Sequence, residues 1–512
     1  MRLQKYLLNS DGTMKANFSE RLKGTFWALL LVALPFTSIP FLSRLLGGTS
    51  VAPLSAIFLL ILVVFFFLPQ FFHKPELPRQ SLPLLLFFLS AVLSSALAVF
   101  IPFESFRGAA VWKNALEGIL TIIIGIAFYL VTIYVLADQR SLRKTLRWIY
   151  LGGAIAIAAS LVQSGFWYAL GKYPEWLKGL QAMISVSGVL YKARVTGVAL
   201  EPSWLANQLN TLYLPLWIGL SVKGYSVFRR KFFGLLSVEN ILMGLGLLVL
   251  FLSFSRIGWL TTLAMAAFLA FRAANSIMNR FLTKRDQKKG TQTKSFQHFL
   301  AKLGLWLSLM VVFALILFLL GVFLSRVDPR MEDLFDIDRY REFGVLGWAS
   351  QLSFAERIIY WITAFKVFLA HPFLGVGLGG SGFFFTRLTP EFGYGLPEVI
   401  EYLFRDSVIP NAKNLWVRLL AETGILGFSL FCAWLSTHLH AAQRLERLEK
   451  DAEASAFGLV GKLFLIAVVM EGFSMDSFGL PYLWISLALV ISVFRISRSA
   501  AKTEEPSGTT NV

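Results

Sequence analysis

Apolar runs of roughly 18–24 residues recur along this chain, each long enough to cross a bilayer as a helix. They fall near 25–45, 51–70, 82–102, 114–137, 145–165, 203–221, 233–254, 257–274, 303–324, 414–437, 457–475 and 478–496, about twelve spans. A soluble domain could not hide so much apolar surface: 56% of the residues are hydrophobic and only 15% are charged. The expected fold is therefore all-α, a polytopic helical protein embedded in the lipid bilayer. Pro35, Pro40 and Arg44 interrupt the first run. The polar start Met1–Lys23 is too long and mixed for a cleavable signal peptide, so the first span is expected to stay.

The basic residues give an orientation. Lys5, Lys15, Arg21 and Lys23 precede the first span, and further Lys/Arg groups occupy alternate loops, among them Lys74 and Arg79, Arg140–Arg147, Lys223–Lys231, Arg280–Lys289, Arg444–Lys450 and Arg495–Lys502. With twelve spans all these loops share one side, which the positive-inside rule assigns to the cytoplasm together with both termini. The net charge of +18 is then a topogenic signal and not a nucleic-acid footprint. The basic stretch 275–302 can also touch anionic lipid. The single cysteine, Cys432, lies inside a span, and the histidines form no ligand set, so neither a disulfide framework nor a metal site is expected.

Two outer segments exceed what a connector needs, 166–202 and, above all, 325–412. The expected division is spans over 1–324, an extracytoplasmic loop domain over 325–413, spans over 414–496 and a cytoplasmic tail over 497–512. In the large loop, Phe354, Ile358, Trp361, Ile362, Phe365 and Leu369 repeat at helical spacing, which predicts an amphipathic helix on the membrane or over a cavity. After His371-Pro372 come Gly375, Gly377, Gly379, Gly380 and Gly382, which would allow backbone to approach a ligand closely. No strand precedes them and no Lys-Ser/Thr follows, so this is not a nucleotide P-loop. A polar residue, Asn414, then nine residues, then Gly424-Ile-Leu-Gly427 opens the tenth span, with two small residues where another helix can pack.

Four cations sit near the outer face: Arg194 before Glu201-Pro-Ser203, Arg256 between two spans, Arg357 on the amphipathic helix, and Lys413 at the start of the tenth span. Each could snorkel to lipid head groups. They lie beside turns and small residues, however, and charges at membrane depth tend to mark substrate paths. A cluster of guanidinium groups suits a membrane-bound diphosphate, because the planar fork grips phosphate oxygens bidentately.

These pieces resemble the O-antigen ligase and polymerase family of bacterial membrane proteins. The resemblance spans about Arg194 to Gly427 and rests on Arg194-Val-Thr-Gly197 with Glu201-Pro-Ser203, on Phe254-Ser-Arg256, on Arg357 to Gly379, and most specifically on Asn414 to Gly427. It implies an all-helical (GT-C-like) glycosyltransferase of the bacterial inner membrane, working on its extracytoplasmic face without metal or other cofactor. The implied donor is a glycan on a polyprenyl diphosphate, and the acceptor is a sugar hydroxyl. Arg194 and Arg256 would hold the diphosphate and stabilise the leaving group, and Arg357 would bind diphosphate or sugar. The family pattern has histidine where this chain has Lys413. In ligases that histidine is assigned as the base, and a protonated lysine cannot take a proton. Lys413 and Asn414 are then expected to bind substrate, with Glu201 as base and Asp406 as the weaker candidate. A helix-capping role competes for Glu201.

The departure favours a polymerase of O-antigen, capsule or exopolysaccharide, with a chain-length regulator protein as a further candidate partner, over a ligase to lipid A core. A lipid-linked oligosaccharide flippase also has about twelve to fourteen spans, but the spans read as largely apolar and no internal repeat is evident. A non-catalytic assembly factor is the third reading. Convergence of the four cations on one cavity would separate the enzyme from both.

Overall fold

The computed structural model describes residues 18–228, 234, 236–289, 295–327, 331–332, 335–351, 354–405, 408–448 and 450–504. Lys5, Lys15, Arg229, Arg230 and Lys231 lie outside them, as does Asp406. Regular structure in the described residues is helical, and Ser38 makes isolated bridges to Ala52 and Ser185.

Among the described residues nine helices are long and apolar enough to cross a membrane. They are Ser55–His73, Arg79–Phe100, Val111–Val135, Gln139–Leu170, Arg256–Lys284, Phe296–Arg326, Leu415–Glu446, Ala452–Glu471 and Pro481–Ala500. The other three expected spans depart for identifiable reasons. The first is helical over 18–32, breaks at 33–35, and restarts at Pro40–Leu45, because proline removes a backbone donor and ends a helix. The expected 203–221 span is helical from Pro202 to Val222 with a π turn at Leu209–Tyr213, and Asn207, Gln208 and Asn210 make it less apolar. The expected 233–254 span reduces to the 15-residue Val238–Leu252. The basic stretch 275–302 is mostly helix, because the 256–289 helix runs to Lys289 and the next begins at Ser295.

Close packing of the bundle relies on small residues, as expected for helices that gain nothing from excluding water. A Cβ at Gly125 would meet the Trp484 ring at 2.1 Å, so the 111–135 and 481–504 helices touch because position 125 has no side chain.

The large loop builds its own core. Ile359, Tyr360, Phe383, Phe384, Phe385, Val399 and Leu403 bury one another between the helices Ala355–Ala370 and Pro397–Phe404. The amphipathic helix forms, but its buried face is Ala355, Ile359, Thr363, Ala364 and Val367. The predicted stripe lies on the other side, with Phe354, Phe365 and Leu369 exposed. The helix therefore has two apolar faces, one on the loop core and one for lipid or a cavity.

The glycines do something different from what their spacing suggests. Gly424 has φ 61° and ψ −169°, a conformation closed to other residues, and it breaks the 415–446 helix. Residues 372–377, largely a run of turns, lie across the break. Val376 and Gly377 donate to the Ala421 and Glu422 carbonyls at 3.0 Å, and Ile425 donates to the Pro372 carbonyl at 2.8 Å. Cβ atoms at Gly375 and Gly424 would sit 2.5 Å from the Glu422 carbonyl carbon and 2.3 Å from that of Phe373. The close approach is thus between two stretches of this chain, and Gly424 is a helix break before it is a packing notch. The spans are also less apolar inside than the sequence suggests: Glu422, 2% exposed, pairs with Arg418 at 3.1 Å and accepts from Ser381 at 3.0 Å.

Candidate active site

Arg256 is placed by a tight turn between the 238–252 and 256–289 helices. Phe254 takes a positive φ, and the Ser255 hydroxyl accepts from the Gly258 N–H at 3.3 Å. The 191–200 segment lies against that turn: Val195 donates to the Leu252 carbonyl at 3.1 Å, and Arg194 Nε donates to the Ser253 carbonyl at 3.3 Å. Gln163, buried on the 139–170 helix, shapes the same segment. Its side-chain oxygen accepts from Thr196 and Gly197 at 2.9 Å, and its amide donates to the Gly197 carbonyl at 2.7 Å. Arg357 reaches from the loop helix to Ser474, donating to its hydroxyl at 2.9 Å.

These three half-buried arginines border one cavity of about 580 Å³. Its remaining wall is mostly apolar, including Phe254, Leu260, Met331, Trp348, Trp361 and Phe473, with Ser203, Ser255 and Ser474 as hydroxyl groups. Guanidinium groups in such surroundings act on an anion more strongly than they would in water.

Glu201 stands beside this cavity at the N-cap of the helix opened by Pro202. Its carboxylate makes no cap hydrogen bond and instead accepts from the Ser203 hydroxyl, and Ser203 lines the cavity. Tyr191 lies under the Arg194 guanidinium at 5.6 Å. Burial pushes the Tyr191 phenol above its ordinary range, with Glu201 adding and Arg194 opposing.

Lys413 and Asn414 are not part of the cavity lining. Lys413 has a φ of 48°, pairs with Glu398 at 3.0 Å and sits 4.9 Å from the centres of both Tyr360 and Tyr402. Glu356 adjoins this group, and burial first and Glu398 second hold its carboxyl above the usual range. Asn414 is 1% exposed, and its side-chain oxygen caps the 415–446 helix by accepting from Trp416 and Val417. Among the described residues no group of three or more His, Cys, Asp or Glu side chains is placed to hold a metal ion.

Residues 241–432 match the family model described as O-antigen ligase. The chain carries an O-antigen ligase-family domain. The resemblance read from Arg256, Arg357 and the Asn414–Gly427 stretch is thereby borne out. No curated protein matches the chain. The O-antigen ligase match includes Arg256, Arg357, Lys413 and both glycines of the helix break. It begins after Arg194 and Glu201 and ends before Ser474, so the cavity is assembled from residues inside and outside the matched segment.

Sequence reasoning missed Gln163, Ser474 and Glu471. Glu471, 2% exposed, accepts from Asn210 at 2.7 Å and Asn207 at 3.3 Å, and Asn210 donates as well to the Gly258 carbonyl at 2.9 Å. This knot ties the helix ends that carry Ser203, Arg256 and Ser474. Glu471→Ala would leave the buried Asn207 amide without its acceptor and the Asn210 amide with only the Gly258 carbonyl, and is expected to cost on the order of 2–4 kcal/mol. Thermal unfolding in detergent checks it, and a melting temperature equal to wild type would refute the role.

Proposed function

We propose that this protein is a membrane glycosyltransferase that takes a glycan from a polyprenyl diphosphate and joins it to an acceptor sugar hydroxyl, extending a bacterial polysaccharide. The observation that carries the reading is the meeting of Arg194, Arg256 and Arg357 on one mostly apolar cavity. A diphosphate carries several negative oxygens and a lipid tail, which calls for fixed cations in an apolar setting. Arg256, Ile257 and Leu260 line the cavity, and further along the same helix Leu263, Ala267 and Ala270 line an apolar groove against Trp306 and Phe313. That groove offers a polyprenyl chain a place beside its head.

In the proposed step the acceptor oxygen attacks the anomeric carbon and the bond from that carbon to the diphosphate oxygen breaks. The electron pair leaves with the polyprenyl diphosphate, whose added charge the arginines stabilise. The acceptor proton passes to the Glu201 carboxylate. The chemistry proposed needs no metal, and on this reading it takes place on the extracytoplasmic face. Lys413, held by Glu398 between two tyrosines, is read as a cation that fixes the loop helices and touches the acceptor side. Its position in place of the family histidine favours polymerisation over transfer to lipid A core.

The test uses purified protein and a polyprenyl-diphosphate-linked repeat unit. Chains are expected to lengthen in the presence of EDTA, and Glu201→Gln should slow growth roughly 10²-fold with donor binding little changed. Transfer only to a lipid A core acceptor would establish the ligase reading instead. Full activity of Glu201→Gln would move the base elsewhere.

A further inference from the structure

At the opposite end of the spans from the helix ends that carry Glu201 and Arg256 lies a second cavity, of about 270 Å³, formed where the 55–73, 111–135 and 481–504 helices end. Lys74 and Arg495, both exposed, border it together with Gln70 and Tyr134. Much of the remaining lining is apolar, including Phe71 and Ile133. Glu76 is the acidic group in the lining, so the charge there is one positive on balance. Tyr134 donates to the Gln70 side-chain oxygen, which turns the Gln70 amide NH2 outward as a further donor, and Lys23 stands 5.3 Å from the Tyr134 ring.

Cations that served only to orient the chain would be as well placed in open water. Here two of them, Lys74 just past the 55–73 helix and Arg495 on the 481–504 helix, share a cavity lined by both polar and apolar groups. We propose that this cavity binds the phosphodiester head group of an anionic phospholipid. Lys74 and Arg495 hold the phosphate oxygens, the Gln70 amide donates to the head-group oxygens, and Phe71 and Ile133 cover the start of the acyl chains. The volume is near the lower end of small-molecule sites, which suits a head group with its tails left in the bilayer. Basic pockets between helix ends on the cytoplasmic side take such lipids, and the basic loops assign this end to the cytoplasm. Free phosphate shares the charge chemistry, but it would leave the apolar wall unused.

The full-length protein in detergent is titrated with phosphatidylglycerol, phosphatidylcholine and inorganic phosphate, with retained lipid read by native mass spectrometry and thermal stability read in parallel. Phosphatidylglycerol is expected to bind at least tenfold more tightly than phosphatidylcholine. The pair Lys74→Ala and Arg495→Ala should remove that preference, and Arg498→Ala, outside the cavity, should keep it. These exposed side chains can be replaced without loss of the fold, and the parallel melting curves verify that. Equal binding of the two lipids, or an unchanged preference in the double variant, would overturn the proposal. Protection by millimolar phosphate with no lipid preference would reassign the cavity to a soluble anion and overturn it equally.

Discussion

Alanine at both Arg194 and Arg256 is expected to lower chain growth by roughly 10²- to 10⁴-fold in a protein that still folds and inserts. Each guanidinium would supply charge-assisted contacts to the diphosphate worth on the order of 1.5–3 kcal/mol, or roughly ten- to hundred-fold in turnover. The two act on one leaving group, so the double variant bounds the effect. Lysine should rescue little at either position, because an ammonium cannot reproduce the bidentate fork. Both arginines are half-buried at a cavity wall and not in the bundle core, so their loss, which includes the Arg194 bond to the Ser253 carbonyl, should lower stability by only about 1–2 kcal/mol. Donor turnover is measured beside thermal unfolding. Wild-type turnover in the double variant would end the assignment of the cavity to the donor.

Gly424→Ala should do the opposite and remove the fold before the chemistry. The backbone at 424 lies where only glycine is at ease. A methyl group there would press within 2.3 Å of the Phe373 carbonyl carbon, and the partner is backbone that cannot rotate away. The 372–377 segment would have to leave, taking with it the hydrogen bonds of Val376, Gly377, Ile425 and Leu426. The expected loss is more than about 4 kcal/mol, enough to abolish folded protein at growth temperature. Gly304→Ala is the control, since a Cβ there meets nothing within 4 Å, and it should be neutral or slightly stabilising. Matching melting temperatures for Gly424→Ala and wild type would show that the break tolerates a side chain.

The contrast between these two sites explains what could be read from the sequence. Long apolar runs announce helices whatever they pack against, so the bundle and the loop domain's amphipathic helix were legible. The arginines were legible too, because a charge at the end of an apolar run is costly and stands out. Gln163 and Glu471 were not. Each is one polar residue among others in a mostly apolar run, and its meaning lies in partners more than thirty positions away, at Thr196 and Gly197 or at Asn207 and Asn210. The glycines misled for a related reason. Gly375 to Gly382 and Gly424 to Gly427 each permit close approach, but neither motif says what approaches. The two motifs meet each other. Lys413 was legible as a departure from a family pattern, whereas its tyrosine and glutamate neighbours come from loop helices whose packing no spacing reveals.

The interrupted 415–446 helix has a consequence for how the protein is made. A span that leaves the insertion machinery as an unbroken helix carries its backbone hydrogen bonds with it. This one leaves the Ala421 carbonyl and the Ile425 N–H to partners within residues 372–377, and the Glu422 carbonyl to Gly377 and the Ser94 hydroxyl. Until that segment docks, the open groups face hydrocarbon at several kcal/mol each. Completion of this helix and docking of residues 372–377 are therefore expected to be a single event, so that the two sides of the break mature together.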